Sequence, residues 1–258
     1  MLYPGRLIQV GEADKQIVKA VQQRLNERRC GPLEADGDFG PKTQAAVMLF
    51  QSRTTDRDGV PLKVDGVLGA LSWEVLFDGQ VPVISQVDDE LLARVLEVAR
   101  AQLGVREEPK NSNRGKQVDE YLRSVGLDPT RGNYPWCCAF VYWCFQMAAR
   151  DRNRENPMVK TAGCLDHWLK AGERKIRRLH VARAIADPGV VKPGMVFIMD
   201  FGEGKGHTGI VEQVNGGKLL TIEGNTDPST GSREGGGVYR MNRKLTQMGR
   251  GFIDYAGA

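Results

Sequence analysis

Pro135-Trp136-Cys137-Cys138-Ala139-Phe140-Val141-Tyr142-Trp143-Cys144 carries the strongest chemical signal in the chain. From Cys137 onward the apolar residues fall at helical spacing. On a helical wheel Cys137, Phe140, Val141, Cys144 and Ala148 share one face, with Ala139, Gln146 and Arg150 opposite. The pattern predicts a helix that starts near an inward-facing cysteine. A thiol in the first turn meets unsatisfied backbone N–H groups and the positive end of the helix dipole, both of which favour thiolate over thiol. Thiolate is the form that attacks carbonyl carbon. The same residues also fit a plainer reading, in which Cys137, Cys138 and Cys144 are small apolar core residues. A base elsewhere must separate the two.

Two later stretches offer one: Gly206-His207-Thr208-Gly209-Ile210-Val211-Glu212 and Leu219-Leu220-Thr221-Ile222-Glu223-Gly224-Asn225. Both alternate and are rich in β-branched residues, as strands are, and Asn215-Gly216-Gly217 between them signals a hairpin. A three-residue loop pairs Val214 with Lys218, His207 with Asn225 and Gly209 with Glu223. Side chains alternate along a strand, so His207, Asn225 and Glu223 then share a face, with Asn225 or Glu223 in reach of the imidazole. A two-residue loop breaks this geometry. Of the three histidines in the chain, this is the one placed among acceptors. A helix-start cysteine, a strand histidine and a following Glu or Asn together make an activated-thiol arrangement.

These residues, with Lys192-Pro193-Gly194 and Ile222-Glu223-Gly224-Asn225-Thr226, resemble the CHAP family of cysteine amidohydrolases and peptidases from about Leu91 to the C-terminus. The resemblance implies a papain-like α+β domain, in which the cysteine's helix packs on an antiparallel sheet that carries the histidine. It implies Cys137 as nucleophile, His207 as base, Glu223 as orienting acid, Asn225 as a fourth member and Trp136 as a substrate contact. Cys138 departs from the pattern, standing where a small residue such as alanine is expected; the wheel places it on the helix flank, which favours Cys137.

The chain has 258 residues, room for one large domain or two modest ones. Charged residues at 26% and hydrophobic residues at 41% suit a soluble globular protein, and no run approaches membrane-spanning length. Met1 to Leu7 holds no uninterrupted apolar run, so no secretory leader is expected. Five cysteines, an odd number at irregular spacing, suit neither a disulfide framework nor zinc. The net charge of +4, with basic clusters at 150–154 and 174–178, reads as solvated faces rather than a nucleic-acid site. Such a weak positive field favours adsorption to an anionic surface such as a bacterial envelope.

Residues 1–80 contain an internal echo. Asp36-Gly37-Asp38-Phe39-Gly40-Pro41-Lys42-Thr43 recurs as Asp65-Gly66-Val67-Leu68-Gly69-Ala70-Leu71-Ser72, each a glycine turn leading into a helix. With an amphipathic helix over Ile17 to Arg28, others over Thr43 to Gln51 and Ser72 to Leu76 make a small three-helix domain. The segment from Asp36 to Gln51 resembles the signature of the peptidoglycan-binding domain family. The resemblance implies a shallow groove beside the turn that holds stem peptide or glycan, with Asp36, Phe39, Gly40 and Thr43 as contacts.

Residues 81–90 are expected to be a linker and 91–258 the catalytic domain. Within the latter, helices are expected over Leu91 to Leu103, Gly115 to Val125 and Thr161 to Ala171. Strands are expected at Met195 to Asp200, the hairpin, Val238 to Asn242 and Phe252 to Tyr255. Some CHAP domains bind calcium before the cysteine, but Leu127 to Tyr134 supplies one carboxylate, too few oxygen ligands, so no metal or cofactor is expected. The backbone N–H of Cys137 is the natural oxyanion donor, with Asn133 or Tyr134 as a second.

The whole predicts a monomeric hydrolase that cleaves an amide in peptidoglycan, either muramoyl to L-alanine or within the stem or cross-bridge. Without a leader, that suits a phage endolysin released through a holin or a toxin delivered by a secretion machine, acting on the wall after release. A non-catalytic wall-binding protein and a cytosolic protease or deamidase are the competing classes; the full set of catalytic residue types opposes the first, and the N-terminal domain the second.

Overall fold

A computed structural model describes residues 1–79, 83–228 and 236–258. The chain forms two compact units, Met1–Pro82 with Ile185–Pro188, and Val83–Ala184 with Gly189–Ala258.

The first unit holds α1 (Lys15–Glu27), α2 (Pro41–Ser52) and α3 (Ala70–Leu76) around Val18, Val21, Leu25, Phe39, Phe50 and Trp73. Asp14 starts α1 by accepting from the N–H groups of Gln16 and Ile17, the usual satisfaction of an otherwise orphaned first turn. Pro41 opens α2, where its missing N–H is not needed.

The echo in the sequence is a repeated hydrogen-bond device. Gln22 on α1 donates to Asp36 Oδ1 at 2.7 Å and to Thr43 Oγ1 at 3.1 Å, and accepts from Gly37 N at 2.9 Å. Gln51 on α2 does the same with Asp65 at 3.0 Å, Ser72 at 3.4 Å and Gly66 N at 2.9 Å. Each buried glutamine fastens the next turn to the preceding helix. Gly37 is at φ +85°, and a Cβ there would stand 2.9 Å from Lys15 O, so the turn needs glycine.

The second unit places α4 (Glu90–Ala101), α5 (Lys116–Ser124), α6 (Cys137–Asp151) and α7 (Cys164–Glu173) with an antiparallel sheet. Its strands are β1 (Val83–Ile84), β2 (Arg177–His180), β3 (Val196–Asp200), β4 (Gly206–Asn215), β5 (Lys218–Thr226), β6 (Gly237–Lys244) and β7 (Gly251–Asp254), with α8 (Val181–Ala186) after β2. The order is β2-β7-β3-β4-β5-β6, and β1 pairs with β4. This is an α+β fold with helices packed on an antiparallel sheet.

α6 packs on α4 and α5 as well as β4 and β5. Flanked in this way, it is buried on nearly every side, which corrects the one-faced wheel: Ala139 and Cys138, expected opposite and on the flank, are both fully buried.

The hairpin also differs from expectation. The turn is two residues, Gly216 and Gly217, closed by Asn215 opposite Lys218, so Val214 pairs with Leu219 rather than Lys218. Gly216 at φ +55° supports the tighter turn. A β-bulge between Val211 and Gln213 then absorbs the slip, and Val211 with Thr221 and Ile210 with Ile222 resume the register of a three-residue loop. The face that carries His207 is thereby preserved. Glu212, the bulged residue, is 3% exposed and held by Arg100 at 2.7 Å and Arg240 at 2.6 Å.

Within the expected linker, Val83 and Ile84 instead extend the sheet beside Asn215 and Val214, and residues 80–82 lie outside the described residues. β2 and α8 were not anticipated, because Arg177-Arg178-Leu179-His180 reads as a charge cluster until β7 pairs with it.

Candidate active site

Cys137 is the first residue of α6, and Trp136 before it supplies no side-chain cap, so the first-turn N–H groups are left to other acceptors. His207 lies on β4, 1% exposed, and its Nε2–H donates to Glu223 Oε2 at 2.8 Å. Its buried Nδ1 has no hydrogen-bond partner. With Nε2 committed to Glu223, Nδ1 is the nitrogen left for the thiol.

Glu223 is wholly buried and densely held. Thr221 Oγ1 donates to Oε1 at 2.5 Å, while Arg243 forks both oxygens, Nε to Oε1 at 2.9 Å and Nη2 to Oε2 at 2.6 Å. Burial raises the carboxyl's pKa, but Arg243 and His207 outweigh it and bring it down to about 2. Burial likewise opposes charge on His207, and Cys137 and Glu223 overcome it to lift the ring to about 9. The Cys164 thiol and burial push Cys137 up, against the pull of His207. His207 and Cys137 thus share one proton, which Glu223 draws toward the ring while burial and Cys164 hold it on the sulfur.

A cavity of about 390 Å³ is lined by Cys137, Asn225, Tyr134, Lys205 and Cys164, among others. Asn225 is 1% exposed, sits at φ +57°, and its buried Oδ1 lacks a partner. A left-handed, unsatisfied asparagine at a cavity wall is the kind of strain that functional sites retain. Cys138 is not among the lining residues; its Sγ meets Thr161 O at 3.4 Å. Of the two adjacent cysteines, only Cys137 faces the cavity.

Other expected contacts point elsewhere. Trp136 is fully buried, donates from Nε1 to Glu107 at 2.9 Å and stacks on Tyr121, so its ring serves the core rather than a substrate. Asn133 accepts from Asn113, whereas Tyr134 reaches the cavity wall. Asp128 turns back on Thr130 and Arg131, and among the described residues no cluster of three ligating side chains suits a metal.

In the first unit, Phe39 and Thr43 are 1% and 3% exposed and belong to the scaffold, Gly40 caps α2, and Asp36 is exposed while holding Gln22. A second cavity, about 320 Å³, lies between Cys30 to Leu33 and the α2 residues Lys42, Ala45 and Leu49.

Arg243, Thr221 and Cys164 are absent from the sequence-based site. Thr221 was readable, two residues before Glu223 and hence on the same face. Arg243 and Cys164 come from other elements, and no spacing in the chain points to them.

Residues 14–76 match the family described as peptidoglycan binding domain, and residues 129–225 match the family described as CHAP domain. The chain carries a peptidoglycan-binding domain followed by a CHAP domain. By family, the CHAP domain is a cysteine amidase or peptidase domain. Its matched span contains Cys137, His207, Glu223 and Asn225, and ends before Arg243. Among curated proteins, an uncharacterized protein in the bpoA1 3' region of Kitasatospora aureofaciens is 46% identical over 61 residues, 23% of this chain and 46% of that protein. The chain thus covers less than half of that relative's length. No solved structure matches the chain.

Proposed function

We propose that the protein is a peptidoglycan hydrolase that opens an amide bond through a thioester at Cys137. The observation that carries this is His207, fixed at Nε2 by a buried Glu223 with Nδ1 left free, in the same domain as a cysteine at an uncapped helix start on a cavity wall. Thiolate forms as the Cys137 proton sits on His207, and its sulfur attacks the amide carbon. The N–H groups of the first turn of α6, that of Cys137 first, receive the developing oxyanion. Imidazolium then gives its proton to the departing amine, and neutral imidazole draws a proton from the water that opens the thioester. Glu223 stabilises imidazolium and sets the tautomer throughout.

The peptidoglycan-binding domain holds the enzyme on the wall, where it acts after release or delivery, as a phage endolysin does. We favour the muramoyl to L-alanine amide over stem or cross-bridge bonds. Glycoside cleavage needs two carboxylates across the bond, and the cavity wall offers a thiol instead. Digestion of purified sacculi should lower turbidity and expose new amino groups, with reducing ends constant. New reducing ends from homogeneous protein would defeat the reading, and new N-terminal alanine would select the muramoyl amide.

A further inference from the structure

The cavity is lined by two thiols. Cys164 opens the ten-residue α7, and its Sγ stands 3.5 Å from Cys137 Sγ. Both are free, and they are 7% and 4% exposed. Nothing in the amide-opening chemistry uses Cys164. Disulfide sulfurs lie about 2.0 Å apart, so about 1.5 Å of approach would join this pair. Buried thiols are usually inert because they stay protonated and unreachable. Burial and the neighbouring sulfur hold both thiols protonated at rest, yet this pair borders a cavity wide enough for small oxidants, and His207 pulls against the Cys137 proton. Cys138 is the competing neighbour and also acts on the Cys164 thiol, but its sulfur bonds to Thr161 O and it does not line the cavity through which an oxidant would arrive.

We propose that Cys137 and Cys164 form a hydroperoxide-oxidised site, in which Cys164 captures the oxidised nucleophile as an intramolecular disulfide that reversibly silences the enzyme. In the first step a peroxide oxygen transfers to Cys137 Sγ. The S–O bond forms as O–O breaks, and the leaving hydroxide takes the thiol proton as water. In the second, Cys164 sulfur attacks Cys137 sulfur; S–S forms as S–O breaks, and a second water leaves with the Cys164 proton. Two thiols lose two hydrogens and one peroxide is reduced to two waters. The capture also keeps Cys137 from the irreversible sulfinic and sulfonic states. Only the silencing rests on the role proposed for Cys137; the cross-link does not.

The test uses the full chain, reduced, desalted, treated with hydrogen peroxide, alkylated and mapped by mass spectrometry. A peptide pair joining Cys137 to Cys164 should appear, with sacculus digestion lost in parallel and both changes reversed by dithiothreitol. In Cys164→Ser the pair should be absent, Cys137 should accumulate as sulfinic acid, and the lost fraction of that variant's own activity should not return with dithiothreitol. A wild-type cross-link joining Cys138 to Cys164, or Cys137 going directly to sulfinic acid, overturns the proposal. Because the wild-type map stands alone, the test does not depend on the variant folding. If untreated protein fails to digest sacculi while the cross-link forms, the hydrolase reading fails and the oxidation site survives.

Discussion

Two histidines of the second unit are equally hidden and oppositely charged in tendency. His167 on α7 and His207 on β4 are 0% and 1% exposed, each with a buried Nδ1 that lacks a partner. His167 offers Nε2 to Tyr255 Oη at 2.6 Å, and burial presses its pKa down to about 3. His207 offers Nε2 to a carboxylate at 2.8 Å and is lifted to about 9. Burial presses both rings toward the neutral form; at His167 the charge of Asp166 is too weak to offset it, whereas at His207 the contacts with Cys137 and Glu223 more than do.

The largest expected contrast is between deletions. His207→Ala should lower kcat on sacculi by roughly a hundredfold to ten-thousandfold, the range of a lost general acid–base. His167→Gln should leave kcat intact and reduce stability by about 1–3 kcal/mol, as for a disrupted buried hydrogen bond. Equal kinetic losses would erase the distinction between the two rings.

Glu223→Gln tests its cause. The alkaline limb of kcat should follow loss of the His207 proton near 9 and move to lower pH in the variant, because a neutral amide no longer favours imidazolium. Stability should fall by about 3–5 kcal/mol, since Arg243 loses its buried partner. An unmoved limb would show that Glu223 does not set the ring's charge.

Arg243 sharpens the point, because it keeps Glu223 ionised. Arg243→Gln should raise the Glu223 pKa and shift the acid limb upward, with Arg243→Lys restoring much of it. Arg240→Gln, which removes a half-exposed arginine while Arg100 still holds the buried Glu212, should cost about 0–1 kcal/mol and leave the pH profile unchanged. A matching shift from both arginine changes would mean that the acid limb reports long-range charge rather than the site.

The last contrast concerns stability against pH. His207, raised from 6.5 to about 9, contributes stability fully present below 6.5 and lost as pH rises through 9. Glu223, lowered from 4.5 to about 2, contributes stability present above 4.5 and lost as pH falls through 2. His167, lowered from 6.5 to about 3, weakens the fold as pH falls across that window, since the unfolded chain takes a proton that the folded ring refuses. Urea midpoints should therefore peak near 6.5, and His167→Gln should flatten the acid side of that peak between 6.5 and 3. A variant with the same acid slope would assign that slope to other groups.

The hairpin shows how far reading the chain could go. Period-two alternation correctly grouped His207 with Glu223, although the turn was one residue shorter than assumed, because the bulge at Glu212 returned the slip. Nothing local announces a bulge; two arginines from α4 and β6 hold its carboxylate. The helix wheel was less complete, since it counts apolar residues but not how many elements surround a helix, and so it left Ala139 and Cys138 outside a core that contains both. Trp136 was misassigned for the same reason: a large aromatic beside a nucleophile is ambiguous until Glu107 is seen to take its N–H.

The sequence by itself determined what depends on short-range periodicity: a helix that begins at Cys137, a strand pair bearing His207 and Glu223, and two glycine turns of one design. Only the tertiary structure decided which side chains from distant elements meet: Arg243 on Glu223, Cys164 on Cys137, Gln22 and Gln51 beneath their turns. The physical reason is that helical and strand periods follow from backbone geometry over a few residues. Ion pairs and thiol contacts instead depend on register, bulges and packing summed over the whole domain.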